Sequence, residues 1–194
     1  MLVVALAGCA GASPASTPTA HVASTAPSPS SAASPTPSPT PMDEFDASVE
    51  PVAPPELDGP PSKEAAGEVA EYFMALIPYI AATGDLSRWD AMSGELCKYC
   101  ANIRSEVREI HLADRSSVGG ELEFIETLTW DHRPDQYAVL LRYLEHPSWT
   151  VDHDGTVVEE FPGRQYFEAD MLVIWRDGAW TIDAVTPRSL GTAL

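Results

Sequence analysis

The sequence predicts an α+β domain in which N-terminal helices pack on one face of an antiparallel sheet, behind a disordered tether. Three observations lead there. Between Lys63 and Ala113 apolar residues recur at helical spacing. After Gly119-Gly120 the period switches to two. Asp154-Gly155 and Asp177-Gly178 then supply hairpin-turn signals within the alternating segments. Helices followed by antiparallel strands are the order of an α+β fold, with the helices segregated to one sheet face.

Taken from the start, residues 1–9 read as a short lipoprotein signal. Leu2 to Ala7 are apolar and lead into small residues, as the core and cleavage region of an export signal do. Leu6-Ala7-Gly8-Cys9 resembles the lipobox of bacterial lipoproteins. That resemblance implies cleavage before Cys9 and a diacylglyceryl group on its sulfur. Two acyl chains give stable attachment where one gives only marginal binding. The expected location is therefore the outer face of the cytoplasmic membrane, with the membrane itself a partner through Cys9. A signal also needs a basic n-region, and no Lys or Arg precedes Lys63. This points to a translation start further upstream. No other run approaches the roughly 20 apolar residues of a membrane-spanning helix.

Residues 10–61 are a different material. Ala, Ser, Thr and Pro dominate, and thirteen of the eighteen prolines lie at or before Pro61. So little apolar surface cannot offset the entropy of ordering, and a tether with polyproline character is expected. As a flexible coil it would average about 40 Å end to end. Its Ser/Thr-Pro density suits either a glycosylated stalk or a plain linker. Asp43, Glu44, Asp46, Glu50, Glu56 and Asp58 close it as a solvated acidic stretch.

Residues 62–188 have the size of a single domain, and 189–194 read as a tail. All eleven basic residues lie from Lys63 onward, yet the net charge of the chain is −18. That excess disfavours nucleic acid as a partner. The first helix is expected over Lys63 to Ala82, with Ala66, Val69, Ala70, Phe73, Leu76, Ile77 and Ile80 on one face. Pro78 should kink or weaken its last turn. Gly84 suits the left-handed position that ends it, and Asp85 the next N-cap. A short helix through Trp89 and Met92 follows. A third runs from Tyr99 to Ala113 with Tyr99, Ile103, Val107 and Ile110 aligned.

In the strands, Leu122, Phe124, Leu128 and Trp130 are expected on one face. Tyr137 to Leu144 is apolar on both faces and reads as a central, doubly covered strand. A two-residue turn at Asp177-Gly178 sets Trp175 opposite Trp180 and Val173 opposite Ile182. Met171, Val173, Trp175, Trp180, Ile182 and Ala184 then make one apolar face. The element order resembles the cone-shaped, nuclear-transport-factor-like (cystatin-like) fold. That resemblance implies a pocket between the first helix and the curved sheet. The whole layout is similar to actinobacterial lipoproteins carrying an uncharacterised domain. The shared features are the lipobox at Cys9, the proline-rich tether, the helix ending in Thr83-Gly84-Asp85, and Cys97-x-x-Cys100. The resemblance implies no known activity.

Cys97 and Cys100 remain once Cys9 is given to lipid. Outside the cytoplasm a disulfide between them is the favoured reading. A redox centre is the sharper alternative, since a helix N-terminus and Lys98 would lower a thiol pKa. Redox CxxC motifs of the thioredoxin type follow a strand, however, and this one follows a helix. Zinc needs four ligands, and His111, the nearest histidine, is more than two turns along the third helix. No metal or cofactor is expected. Asp152-His153-Asp154 reads as turn chemistry, and His132 and His146 as loop residues beside prolines. The five tryptophans suit a core better than a ligand cavity. No phosphate loop, serine-nucleophile motif or HExxH occurs. The functional expectation is a non-catalytic module that binds an unidentified protein or an apolar small molecule. The alternative is a small isomerase or hydrolase working in the pocket between the first helix and the sheet.

Overall fold

Helix α1 (Lys63–Thr83) forms because its ends are capped and one face is apolar. Ser62 at the N-cap accepts the Ala65 N–H, and Gly84, at φ 73°, returns its own N–H to the Ile80 carbonyl. Pro78 lies inside the helix, which nevertheless continues to Thr83. The computed structural model describes residues 45–193, all within one compact unit. Helix α2 (Ser87–Met92) begins two residues after Asp85, whose Oδ1 accepts the Ser87 N–H at 2.9 Å. Asp85, the expected N-cap, thus fastens the entry to α2 from one place earlier, and Leu86 occupies the N-cap itself. Helix α3 spans Lys98–Leu112.

Seven strands follow: β1 (Arg115–Gly119), β2 (Leu122–Arg133), β3 (Gln136–Glu145), β4 (Ser148–Asp152), β5 (Val157–Phe161), β6 (Gln165–Arg176) and β7 (Ala179–Thr192). They form two antiparallel sheets, in the orders β2-β3-β6-β7 and β1-β4-β5. The sheets share one long hairpin. Its arms are β1-β2 and β3-β4, and both bend at the same level. Gly119, at φ 78°, pairs with Ser148, and Gly120, at φ 80°, lies with Glu121 opposite His146-Pro147. The Gly120 N–H donates to the Pro147 carbonyl at 3.0 Å, and the His146 N–H to the Glu121 carbonyl at 2.9 Å. A Cβ on Gly119 would stand 2.6 Å from the Pro147 oxygen, so the arms can meet there only at glycine. The glycine pair was expected to end the helical region. It is instead a corner inside the sheet, because β1 (RSSVG) is too short and polar to show alternation.

Two bulges move residues away from their expected faces. Leu122 and Phe124 face the core, but the register shifts between Phe124 and Glu126. Beyond it Thr127 and Thr129 turn inward beneath Gly67, and Leu128 and Trp130 turn outward, 39% and 50% exposed. One extra residue inverts every following side chain. On β7 a shift between the Leu172 and Val173 pairs does the same. Trp175 faces Trp180 and Val173 faces Ile182 as read, but Val185 replaces Ala184 in the core.

The core lies between α1 and the concave face of the larger sheet. Phe73 and Trp89 stack with centroids 4.1 Å apart, over Leu76, Ile80, Leu141, Val173 and Ile182. The Trp89 indole N–H reaches the Cys100 carbonyl at 3.1 Å, so its burial leaves no donor unpaired. Strand β3 is central, with Tyr137, Val139, Leu141 and Tyr143 inward. Its outer face is not covered as expected, since Arg142 stands exposed there. An alternating ladder crosses all four strands at that level. Arg142 binds Glu126 at 2.6 Å and Glu168 at 2.8 Å, and Glu168 also takes Arg188. Hydrogen bonding to Arg142 first, and then to Arg188, holds the Glu168 carboxyl below the ordinary glutamate range.

Both expected domain limits move outward. Residues 45–61 pack on the body rather than belonging to the tether. Ala47 is buried, Glu50 accepts from Tyr72 and pairs with Arg88, and the Trp180 indole donates to the Glu56 carbonyl at 3.0 Å across a 3-10 turn at Pro55–Asp58. At the other end residues 189–192 are strand, not tail, with Thr192 opposite Gln165. Polar, proline-rich composition concealed the first, and small polar residues the second. Cys9 and the run Ser34 to Pro41 lie outside the described residues.

Two outcomes are expected in urea unfolding. Gly119→Ala should cost about 1–3 kcal/mol more than Gly155→Ala, which also has a positive φ but meets nothing within 4 Å. Equal costs would mean that the Pro147 contact sets nothing. Glu168 has a depressed folded pKa, so its stabilisation is present above the unfolded value near 4.5 and is lost as pH falls through the folded value. Unfolding midpoints from pH 7 to pH 2 should therefore fall less steeply in Glu168→Gln than in the parent.

Candidate functional site

The bent hairpin leaves a recess where the end of α1 meets the corner. It has a volume of about 210 Å³. Ile77, Pro78 and Ala81 of α1 form one wall, and Tyr99 and Ile103 of α3 another. Ser117, Gly119, Gly120, Leu122 and Ser148 line the corner, and Tyr143 and Glu145 of β3 form the base. A larger groove of about 330 Å³ lies along the first turns of α1, but it is open surface, and Glu71 there already accepts the Thr127 hydroxyl. The corner recess is the better candidate because helices and both sheets close around it.

Strand alternation explains two of its polar groups. Tyr143 and Glu145 are two residues apart on β3, so both point to the inner face. Tyr143 is 4% exposed, stacks on Phe167 with centroids 5.6 Å apart, and lines the recess. Tyr99 comes from the first turn of α3. Cys97 occupies the N-cap of that helix and is joined to Cys100 by a disulfide, with Cα atoms 5.3 Å apart. Both cysteines are buried. The closed loop is short, so the chain-entropy gain is at most about 2 kcal/mol. The bond holds the turn that presents Tyr99.

Burial dominates the electrostatics. It pushes the Tyr99 and Tyr143 phenols well above the usual tyrosine range, with the Glu145 charge adding to both. Burial alone raises the Glu145 carboxyl. Among the described residues none donates a hydrogen bond or ion pair to Glu145, and neither phenol has a partner. No Lys, Arg or His lines the recess. It is a small, mostly apolar space with one carboxyl and two phenols at its base.

The other sequence candidates lie elsewhere. His111 packs against Gly84 and shares a 3.1 Å contact with the Ala81 carbonyl. Asp152 and Asp154 both accept the Thr156 N–H, as turn residues do. His146 stands 3.2 Å from Glu123 at the corner, outside the recess, and His132 is exposed on β2. Trp89 and Trp180 are core, and none of the five tryptophans lines the recess. Among the described residues no group of three His, Cys, Asp or Glu could hold a metal ion. Glu145 escaped the sequence reading because it follows an apolar run and precedes His146-Pro147. The signal was its two-residue spacing from Tyr143.

The chain is similar to solved structures at low sequence identity. An uncharacterised protein with a cystatin-like fold from Caulobacter vibrioides matches at 12% identity and a TM-score of 0.42, over 63% of this chain and 87% of that one. The intermembrane-space region of the chloroplast protein ARC6 matches at 7% identity and a TM-score of 0.50, over 69% of this chain and 99% of that one. Among curated proteins there is no match. One family model covers residues 49–186, most of the chain and nearly all of the domain, and by that match the protein belongs to DUF6318, a family of unknown function.

Proposed function

We propose that the protein is a lipid-anchored binding module of the extracytoplasmic face. It is held to the outer face of the cytoplasmic membrane by a diacylglyceryl group on Cys9, and it takes a small ligand in the corner recess without transforming it. The recess carries this reading: about 210 Å³ of mostly apolar, partly enclosed space formed by two helices and both sheets. The lipobox and the likeness to actinobacterial lipoproteins support the anchor. No described helix is long and apolar enough to cross a membrane, so the anchor rests on Cys9. A second reading, a small isomerase or hydrolase in the same recess, is favoured by one observation. Glu145 has a raised pKa beside two phenols, the setting a general acid or base needs.

Three experiments test these readings. In a chain with a complete export signal, Cys9→Ser should abolish fatty-acid labelling and move the protein from the membrane to the soluble fraction. Retained labelling sinks the anchor. For the recess, 1-hexanol titrated into the full chain should shift backbone amide resonances at Ile77, Ile103 and Leu122, with an affinity on the order of millimolar for so few atoms. Ile103→Trp should fill the space and remove those shifts. Incubating the protein with candidate ester, amide and enol-forming ligands separates binding from catalysis. Unchanged ligand spectra support the module, and product signals that vanish in Glu145→Gln support the enzyme.

A further inference from the structure

The chemistry at the base of the recess narrows the class of ligand, given that the recess is a binding site. We infer that it recognises a small organic cation: a primary ammonium seated among the Glu145 carboxylate and the Tyr99 and Tyr143 hydroxyls, with a short apolar body against Ile77, Ala81 and Ile103.

Donor and acceptor numbers support this. A primary ammonium carries three N–H donors and no acceptor. The base of the recess offers three acceptor groups from the protein, none of them engaged by a described residue. These oxygens are also not sealed in the core, because no fully buried side-chain oxygen or nitrogen lacks a partner. The residues that carry them line the recess. Tyr143 is the strongest single indication. Its ring lies against Phe124 and Phe167 and is 4% exposed, it lines the recess, and among the described residues none accepts from its hydroxyl.

Charge decides the sign. A carboxylate removed from water is costly unless it is paired. Two arginines near Glu145 in sequence or strand register are paired elsewhere. Arg142, three residues before Glu145, projects to the opposite face of β3 and is held by Glu126 and Glu168. Arg164 is paired with Glu123. The titratable groups that face the recess are Tyr99, Tyr143 and Glu145, with Glu106 acting on Tyr99 from α3. All are neutral or negative. An anionic ligand would meet the Glu145 charge with no counter-ion, whereas a cation supplies the partner the protein does not. The net charge of −18 adds a long-range bias in the same direction. The volume, about seven waters' worth, limits the ligand to a handful of non-hydrogen atoms.

The test compares n-hexylamine, 1-hexanol and hexanoate on the full chain at pH 7.5 by amide chemical-shift titration. Hexylamine should bind at least tenfold more tightly than 1-hexanol, with shifts confined to the corner, and hexanoate should not bind. Glu145→Gln should erase the advantage of the amine over 1-hexanol, and Tyr143→Phe should narrow it. The comparison of amine with alcohol uses the unmodified protein, so it stands even if a variant misfolds. Equal binding of amine and alcohol, or tighter binding of hexanoate, overturns the cation assignment and leaves the recess a binding site. Failure of all three to shift the corner residues overturns both readings together.

Discussion

The approach of two backbones at the corner governs this structure. Gly119-Gly120 on one arm of a long hairpin meets His146-Pro147 on the other, and a side chain at Gly119 would collide with the Pro147 carbonyl. Two consecutive positive φ angles turn the first arm, while proline ends the ladder on the second. With both arms bent at one level, the strands beyond the corner close over the end of α1. The curvature that encloses a core on one side of the bend leaves a recess at the bend itself.

The two faces of the larger sheet follow different rules. The concave face is apolar and packs on α1, where Phe73 stacks on Trp89. The convex face has no second layer among the described residues, and its central level is a charge ladder of Glu126, Arg142, Glu168 and Arg188. Direct cross-strand neighbours of opposite sign suit an antiparallel sheet, and Glu168 is buried because arginines flank it on both sides. Anchored there, the positive charge of β3 stays away from the recess. The recess therefore keeps a carboxyl without a cation.

The cysteine pair changes meaning in this setting. A four-residue loop adds little to global stability. What the bond does is local: it fastens the first turn of α3, which carries Tyr99 to one wall of the recess, and it sits where the Trp89 indole donates to the Cys100 carbonyl. A motif that suggests metal or redox chemistry in isolation belongs to the architecture that shapes the neighbouring space.

The periodicities were legible because they are local. The helical stripe of α1, the left-handed Gly84, and the facing of Trp175 with Trp180 across Asp177-Gly178 all depend on residues within a turn or a hairpin of one another. The family match over residues 49–186 likewise rests on sequence. What stayed hidden depends on distant chain. The bulge at Ile125 sends Leu128 and Trp130 outward because Thr127 and Thr129 fit under Gly67, sixty residues earlier in the chain or thereabouts. Residues 45–61 look like tether until Trp180 is seen to hold the Glu56 carbonyl. The recess joins Tyr99 to Tyr143 and Glu145, residues that no spacing rule connects. By itself the sequence determined the three helices, the pairing across Asp177-Gly178 and the α+β class, since these follow from short-range pattern. Only the tertiary structure decided which faces turn inward, where the domain begins, and which polar groups share a space without a partner, because each of those depends on segments that meet only when the hairpin bends.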